Sequence, residues 1–190
     1  MSIRVVETGF VGLLRIEPQC FRDKRGFFLE SFHAEQYRAH GIADSFVQDN
    51  HSRSCRSVLR GLHFQIKHPQ AQIVTVIRGR IFDVTVDLRF GSSSFGRWYG
   101  VELSDDGPRQ IYMAPGFAHG FCVLSEFADL HYKVSQLYDR TDEGGIYWAD
   151  SDIGIRWPLD APVVSERDNC HPWLRELSPK QLPTFAESKG

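Results

Sequence analysis

The sequence predicts a mainly β protein, an antiparallel sandwich or barrel with a few short helices. Apolar and polar side chains alternate from residue 81 to residue 88, which is the period of a β-strand. Further strand-like segments follow at spacings of about 8–12 residues, and turns rich in Gly, Asp and Ser separate them. Helical patterns are almost absent, and this combination is typical of all-β domains.

Each predicted element follows from its local pattern. The strands cover 10–16, 27–32, 45–51, 72–77, 81–88, 98–103, 110–113, 120–124 and 129–138. The turns cover 21–26, 78–80, 91–94 and 104–108. A short helix over 33–40 ends at Gly41, because glycine readily adopts the left-handed conformation that closes helices. The proline-rich, charged tail from about residue 158 is expected to wrap the barrel, with a short helix near 178–182.

Composition excludes several classes of protein. A chain of 190 residues with 42% hydrophobic and 13% aromatic residues can bury a core, and we predict a single domain over 1–190. A net charge of −2 gives no sign of a nucleic-acid or membrane partner. No apolar run approaches the roughly 20 residues that span a bilayer. The four cysteines lack CxxC spacing, so we expect free thiols and a cytoplasmic protein without a signal peptide.

The segment 58–65 places a guanidinium and an imidazole three residues apart. In a regular strand, Arg60 and His63 would point to opposite faces. Gly61 lies between them, and an interior strand glycine often marks a bulge or a close backbone approach. The sequence therefore predicts a bend that turns both side chains into one cavity.

A second segment, 114–121, contains the pattern PxGxxH, which ends at His119. This is the second half of the cupin jelly-roll motif, so we predict a cupin-type jelly roll. Metal-binding cupins carry HxH in the first half, but here Gln65 stands in place of the second histidine. His63 and His119 alone are too few for a metal site, and we predict no metal. Two hydrogen-bonded histidines without chemistry remain the alternative.

Several motifs together resemble the dTDP-4-dehydrorhamnose 3,5-epimerases along nearly the whole chain. These are 21–26 (FRDKRG), 48–50 (QDN), 60–65 (RGLHFQ), 83–89 (DVTVDLR), 114–121 (APGFAHGF), 132–133 (YK), 143–146 (EGGI), 155–158 (IRWP) and 165–168 (SERD). The resemblance implies a jelly-roll homodimer that acts on a nucleotide-linked sugar without metal or organic cofactor. It further implies that strands of both subunits contact the nucleotide, which is expected to be dTDP.

The expected reaction requires a base on one face of the sugar and an acid on the other. His63 is the candidate base because its unperturbed pKa lies near neutrality. The resemblance implies that Asp168 orients it, whereas from the residues alone Asp83 is an equal candidate. Tyr132 matches the family's acid, and Tyr138 is its rival, because it would share a strand face with Tyr132.

The resemblance also implies which side chains bind the substrate. Guanidinium groups suit a diphosphate, which favours Arg25 and Arg60, and Phe21 could stack on the pyrimidine. His119 and residue 72 are expected near the enolate oxygen. The other positions that match the family's ligand site are Glu30, Gln48, Asp49, Asn50, Glu143 and Arg167.

One position departs from the family pattern. The family usually carries a lysine where this chain has Gln72. The change leaves open whether C3, C5 or both carbons are epimerised, and which sugar nucleotide is used. An epimerase of one carbon, a 4-keto sugar isomerase, and a metal-dependent or non-enzymatic cupin are the alternatives.

Overall fold

A computed structural model of the chain describes residues 2–185. Its strands are β1 (Ile3–Glu7), β2 (Leu13–Pro18), β3 (Cys20–Asp23), β4 (Gly26–Leu29), β5 (Gln48–Cys55), β6 (Val58–Gln65), β7 (Gln72–Arg78), β8 (Arg80–Asp87), β9 (Trp98–Ser104), β10 (Gln110–Met113), β11 (Phe117–Val123), β12 (Phe127–Val134), β13 (Glu143–Gly145) and β14 (Val163–Val164). The helices are α1 (Ala34–Ala39), α2 (Glu166–Asn169) and two 3-10 helices, Leu174–Glu176 and Pro179–Gln181.

Two large sheets form the body of the molecule. The first has the strand order β1-β2-β10-β7-β12-β5, and the second has the order β13-β6-β11-β8-β9. Neighbouring strands in these orders are antiparallel, while β14 pairs with β6 in parallel. The short hairpin β3-β4 forms a separate two-stranded sheet. The predicted cupin-type jelly roll is confirmed.

Apolar side chains pack in three layers. Residues of both sheets form the central cluster, which includes Leu13, Val74, Ile81, Ile111 and Leu130. A second cluster joins the other face of the second sheet to the C-terminal segment, and a third joins the first sheet to α1. Each fully buried aliphatic side chain contributes about 1.5–3 kcal/mol of transfer free energy. The central cluster fixes the two sheets relative to each other.

The alternation in β8 places apolar side chains on one face of the strand and polar side chains on the other. Val84, Val86 and Leu88 pack in the cluster that the C-terminal segment covers. Asp83 and Thr85 point the other way, toward the interior of the sandwich, and both are buried. The sandwich interior is therefore apolar at one end and carries polar groups where β8 runs beside β11.

Several predicted boundaries shift. The strand expected over 10–16 begins at Leu13, because a turn precedes it in which the Leu13 N–H donates to the Phe10 carbonyl at 3.1 Å. Strand β1 was not predicted. The region 20–29 is a tight hairpin, so the predicted turn over 21–26 is too long. The strand expected over 129–138 ends at Val134.

The C-terminal segment lies against the second sheet. Its strand β14 adds to the edge of β6, and Leu182 is buried in the cluster on that sheet. The Phe90 N–H donates to the carbonyl of Pro183 at 2.7 Å, which ties the last described residues to the end of β8. Between residues 2 and 185, no helix is long and apolar enough to cross a membrane.

Candidate active site

A bulge in β6 turns Arg60 and His63 toward one cavity. His63 pairs with His119 and Arg60 pairs with Phe121, so three steps along β6 match two steps along β11. Gly61 lies inside this bulge with φ +116°. A Cβ there would lie 2.6 Å from the Cα of Gly120, so only glycine allows the strands to approach. The predicted bend is confirmed, and both side chains line the same cavity.

The cavity has a volume of about 560 Å³ and is lined by strands of both sheets. The first sheet contributes Gln48, Asp49, Asn50, His51, Gln72, Tyr132 and Val134. The second contributes Arg60, His63, Phe64, Gln65, Phe117, His119, Gly120, Phe121 and Glu143. Polar groups and aromatic rings therefore surround one space, as in sites that bind small molecules.

The base candidate is held by a carboxylate. His63 Nε2 lies 2.8 Å from Asp168 Oδ1, and 32% of the His63 side chain remains exposed. This hydrogen bond places a proton on Nε2 and leaves the lone pair of Nδ1 free to accept one. Asp83, the equal candidate from the residues alone, instead pairs with His119 Nε2 at 2.7 Å. The geometry thus selects Asp168 as the partner of His63.

Asp168 is anchored from several sides. Its Oδ2 accepts the Gly61 N–H at 3.1 Å, and Ser165 caps helix α2 by accepting the Asp168 N–H at 3.1 Å. Burial alone would raise the pKa of this carboxyl, but the imidazoles of His171 and His63 and the Gly61 amide outweigh it, so the pKa of Asp168 is lowered. A firmly ionised carboxylate keeps the His63 ring in one orientation and tautomer.

Glu143 links Tyr138 and Arg167 beside the cavity. Its Oε2 accepts the hydroxyl of Tyr138 at 2.6 Å and pairs with Arg167, and its Oε1 lies 3.9 Å from His63 Nδ1. The hydrogen bond to Glu143 raises the pKa of Tyr138. The prediction that Tyr138 shares a strand face with Tyr132 is wrong, because β12 ends before it. Tyr138 nevertheless lines the cavity.

Tyr132 approaches the cavity from the opposite sheet. It lies on β12, paired with Asn50 and Val74, and its ring packs against the central cluster. Between residues 2 and 185, no hydrogen bond occupies its hydroxyl. His63 and Tyr132 therefore enter one space from two facing sheets, and the Tyr132 hydroxyl is free to act on a ligand.

Seven of the predicted binding residues line the cavity: Gln48, Asp49, Asn50, Arg60, Gln72, His119 and Glu143. Gln48 Nε2 donates to Asn50 Oδ1 at 2.8 Å, which orients two amides at the wall. Arg60 Nε donates to Ser54 Oγ at 2.9 Å. No carboxylate within residues 2–185 pairs with Arg60, so its charge is available to an anion. Arg167 is not among the lining residues, but it pairs with Glu143, which is.

The other three predicted binding residues, Phe21, Arg25 and Glu30, also lie outside this cavity. Phe21 and Arg25 belong to the β3-β4 hairpin, where they line a separate depression formed by hairpin residues alone. Arg25 is bound to Asp23, and the Oε1 of Glu30 accepts from Gln36 at 3.0 Å. The hairpin does not join either large sheet, so nothing in a single chain brings these side chains to His63. Their role stays a prediction.

Three side chains within residues 2–185, His63, Asp168 and His171, place possible metal-ligand atoms within 4.8 Å of one another. A hydrogen bond already joins two of them, and a metal ion would have to replace it. Gln65 is buried, and its amide is held by two backbone groups at 2.9 Å. We interpret the group as a hydrogen-bonded cluster, and the absence of a metal stays a prediction.

Sequence reasoning missed His171 and several walls of the cavity. Gln70 lines the cavity and belongs to none of the motifs. Phe64 and Phe121 lie within the motifs 60–65 and 114–121, but no role was predicted for either of these lining side chains. His171 lies three residues after Asp168, a spacing that brings both to the same end of α2. That spacing is a usable signal only once Asp168 is known to matter.

Comparison with known proteins agrees with this geometry. The family described as dTDP-4-dehydrorhamnose 3,5-epimerase matches residues 7–176. A dTDP-4-dehydrorhamnose 3,5-epimerase from Methanothermobacter thermautotrophicus is 47% identical over 92% of this chain and 96% of its own. A dTDP-4-dehydrorhamnose 3-epimerase from Streptomyces niveus is 40% identical, covering 97% of this chain and 90% of its own.

A solved structure shares both fold and sequence with the chain. It is the crystal structure of dTDP-6-deoxy-D-glucose-3,5-epimerase from Legionella pneumophila in complex with dTDP-4-keto-L-rhamnose. Its TM-score is 0.94 at 43% identity, and the match covers 97% of this chain and 99% of that one. The chain therefore belongs to the dTDP-4-dehydrorhamnose 3,5-epimerase family.

Proposed function

We propose that this protein epimerises dTDP-4-dehydro-6-deoxyglucose to dTDP-4-dehydrorhamnose without a cofactor. The observation that carries the proposal is the pair of proton-transfer groups that share one cavity. His63, held by Asp168, enters from one sheet, and Tyr132 enters from the other. Inverting a carbon beside a ketone requires this arrangement, since the proton must leave from one face and return to the other.

The first step is proton removal. The 4-keto group acidifies the C–H bonds at C3 and C5, and the unprotonated Nδ1 of His63 takes one of these protons. The electron pair of the broken bond moves into an enolate with its charge on the keto oxygen. The imidazolium that forms is stabilised by the ionised Asp168 at 2.8 Å. A positioned base of this kind contributes roughly 10²–10⁴-fold to the rate.

The enolate is then stabilised and reprotonated. Gln72 lines the cavity, and its side-chain amide can donate a hydrogen bond to the enolate oxygen. His119 lines the same cavity with its Nε2 held by Asp83, so it can donate from Nδ1 only when the ring is doubly protonated. The Tyr132 hydroxyl donates a proton to the opposite face of the carbon. The phenolate then takes a proton from solvent and the His63 imidazolium releases its proton to solvent, which restores both groups. Tyr138 is the less suitable acid, because its hydrogen bond to Glu143 raises its pKa.

Arg60 carries the unpaired charge that suits the diphosphate of the substrate. We propose that a homodimer completes the nucleotide site. The β3-β4 hairpin exposes the aromatic rings of Phe21, Phe27 and Phe28 and presents Arg25 beside them. The hairpin pairs with neither large sheet, so its exposed rings can contact the cavity of a second copy. The enzyme is expected to work in the cytoplasm.

A second candidate is epimerisation at C3 or C5 alone. Gln72 favours it, because a neutral amide stabilises an enolate less than a lysine does. The relative from Streptomyces niveus, which is 40% identical to this chain, is named as a 3-epimerase and not as a 3,5-epimerase. Isomerisation of another nucleotide-linked 4-keto sugar uses the same first step.

The test is incubation with dTDP-4-dehydro-6-deoxyglucose in D₂O. We expect deuterium at C3 and C5, resolved separately by NMR, together with the inverted sugar. Deuterium at a single carbon would support the second candidate. No exchange at either carbon, with a folded protein, would contradict both.

A further inference from the structure

His171 is a titratable group beside the active site that the proposed mechanism does not use. Only 12% of its side chain is exposed. Its Nε2 is buried and has no hydrogen-bond partner anywhere between residues 2 and 185. A buried ring nitrogen without a partner is costly, which points to a role that offsets the cost.

The position of this ring is closely determined. Its Nε2 lies 3.7 Å from Asp168 Oδ1, the same oxygen that bonds to His63. The His171 and His63 rings meet edge to face, with centroids 5.5 Å apart. Gly145, which pairs with His63 across β13 and β6, leaves the space for it, because a Cβ there would lie 2.4 Å from His171 Cε1.

We propose that His171 is a positioning residue that shares the Asp168 carboxylate with His63 and thereby lowers the basicity of His63. The proposal rests on the proposed function, in which His63 is the base. One carboxylate oxygen faces two imidazoles, His63 at 2.8 Å and His171 at 3.7 Å. The dipole of the His171 ring offsets part of the negative potential that this oxygen exerts on His63.

The chemical consequence concerns the working pH range. A base must be unprotonated before it can accept a proton, so a lower pKa of His63 keeps it active in more acidic solution. Two cations on one carboxylate would repel each other, so protonation of both rings is disfavoured.

Other titratable and charged side chains face this cluster, and the variants used in a test must leave them unchanged. Those that face His63 or its partners are Asp168 and Arg167 from α2, Glu143 from β13, Tyr138 beyond β12, and Arg60 and His119 on β6 and β11. Of the two carboxylates among them, only Asp168 lies within 4.0 Å of a His171 ring nitrogen.

The experiment compares His171→Phe with His171→Gln. Phenylalanine keeps an aromatic ring but has no donor, and glutamine keeps a donor that does not titrate. We expect the acid limb of kcat/KM in His171→Phe to move to higher pH by roughly 0.5–1 unit. At a pH one unit below the wild-type limb, kcat/KM should then fall about 3–10-fold, since activity there is proportional to unprotonated base. His171→Gln should shift less.

A direct titration separates this proposal from the proposed function. The ¹⁵N resonances of His63, followed from pH 5 to 9 by NMR, give its pKa without any substrate. The same upward shift should appear there in His171→Phe, even if the assumed sugar is not the true substrate. His40→Phe, an exposed histidine on the end of α1, is the matched control and should change neither reading.

A pKa of His63 that stays within 0.2 unit of wild type, or that falls, in folded His171→Phe would overturn the proposal. If that variant does not fold, Gly145→Ala provides the second route. The added methyl group displaces the His171 ring, so the pKa of His63 should rise in the same direction. An unchanged pKa of His63 in folded Gly145→Ala would then leave His171 with a packing role only.

Discussion

His63 Nε2 and Asp168 Oδ1 lie 2.8 Å apart, although 105 residues separate them in the chain. The two meet because β14 runs beside β6 and carries helix α2 to the bulge at Gly61. The contact turns an ordinary strand histidine into an oriented base with a defined tautomer. The predictions below follow from this contact and from the cavity around it.

Replacing the base should stop the chemistry and leave the fold. We expect His63→Ala to reduce deuterium exchange at C3 and C5 by about 10²–10⁴-fold, because the variant lacks the imidazole that accepts the proton. Site-resolved NMR in D₂O measures both rates, and binding of dTDP should be nearly unchanged. His40→Ala serves as control. Undiminished exchange in His63→Ala would remove His63 from the role.

Stability should depend on the ionisation of Asp168. Its pKa is lower in the folded protein than the unfolded value of about 3.9. The unfolded state therefore binds the proton more readily, so this group stabilises the fold above about pH 4 and loses that contribution as the pH falls further. Urea unfolding of Asp168→Asn between pH 3 and 6 should show a shallower acid loss than wild type. An equal pH dependence of the unfolding free energy in wild type and Asp168→Asn would contradict a lowered pKa of Asp168.

Removing the acid should separate exchange from inversion. In Tyr132→Phe, His63 can still remove a proton and return it to the same face. We therefore expect deuterium uptake to continue while inverted product falls by about 10²-fold or more. Loss of both would mean that Tyr132 acts earlier, in binding or enolate stabilisation. If Tyr138→Phe shows this separation and Tyr132→Phe is fully active, the role belongs to Tyr138.

The amide at position 72 should limit one of the two carbons. A charge-assisted hydrogen bond is roughly twice as strong as a neutral one, so an enolate beside Gln72 is less stabilised than one beside lysine. We expect one carbon to exchange clearly faster than the other, and Gln72→Lys to raise the slower rate. Single-turnover deuterium uptake measures both. Equal, fast exchange in wild type with no gain in the variant would show that the glutamine has no effect.

Chelation should leave activity intact. The mechanism uses only side-chain proton donors and acceptors, so prolonged EDTA treatment is expected to change kcat by less than about twofold. Elemental analysis of the same sample should find less than one metal per chain. A stoichiometric transition metal, lost together with activity, would favour the metal-dependent cupin instead.

Local signals were sufficient for much of the structure. The alternation of residues 81–88 predicted β8 and both of its faces, because side-chain direction in a strand depends only on position along it. Gly61 predicted the bulge that brings Arg60 and His63 together, since only glycine tolerates the close backbone approach there. The family motifs, compared as a set, indicated the reaction.

What no local pattern could decide was set by pairing between distant strands. Asp83 and Asp168 were equal partners for His63 in the sequence, and only the strand order gives Asp83 to His119 and Asp168 to His63. The end of β12 at Val134 and the hydrogen bond of Tyr138 to Glu143 likewise depend on contacts with other elements. These choices depend on contacts between residues far apart in the chain, such as the pair 105 residues apart, so only the tertiary structure reveals them.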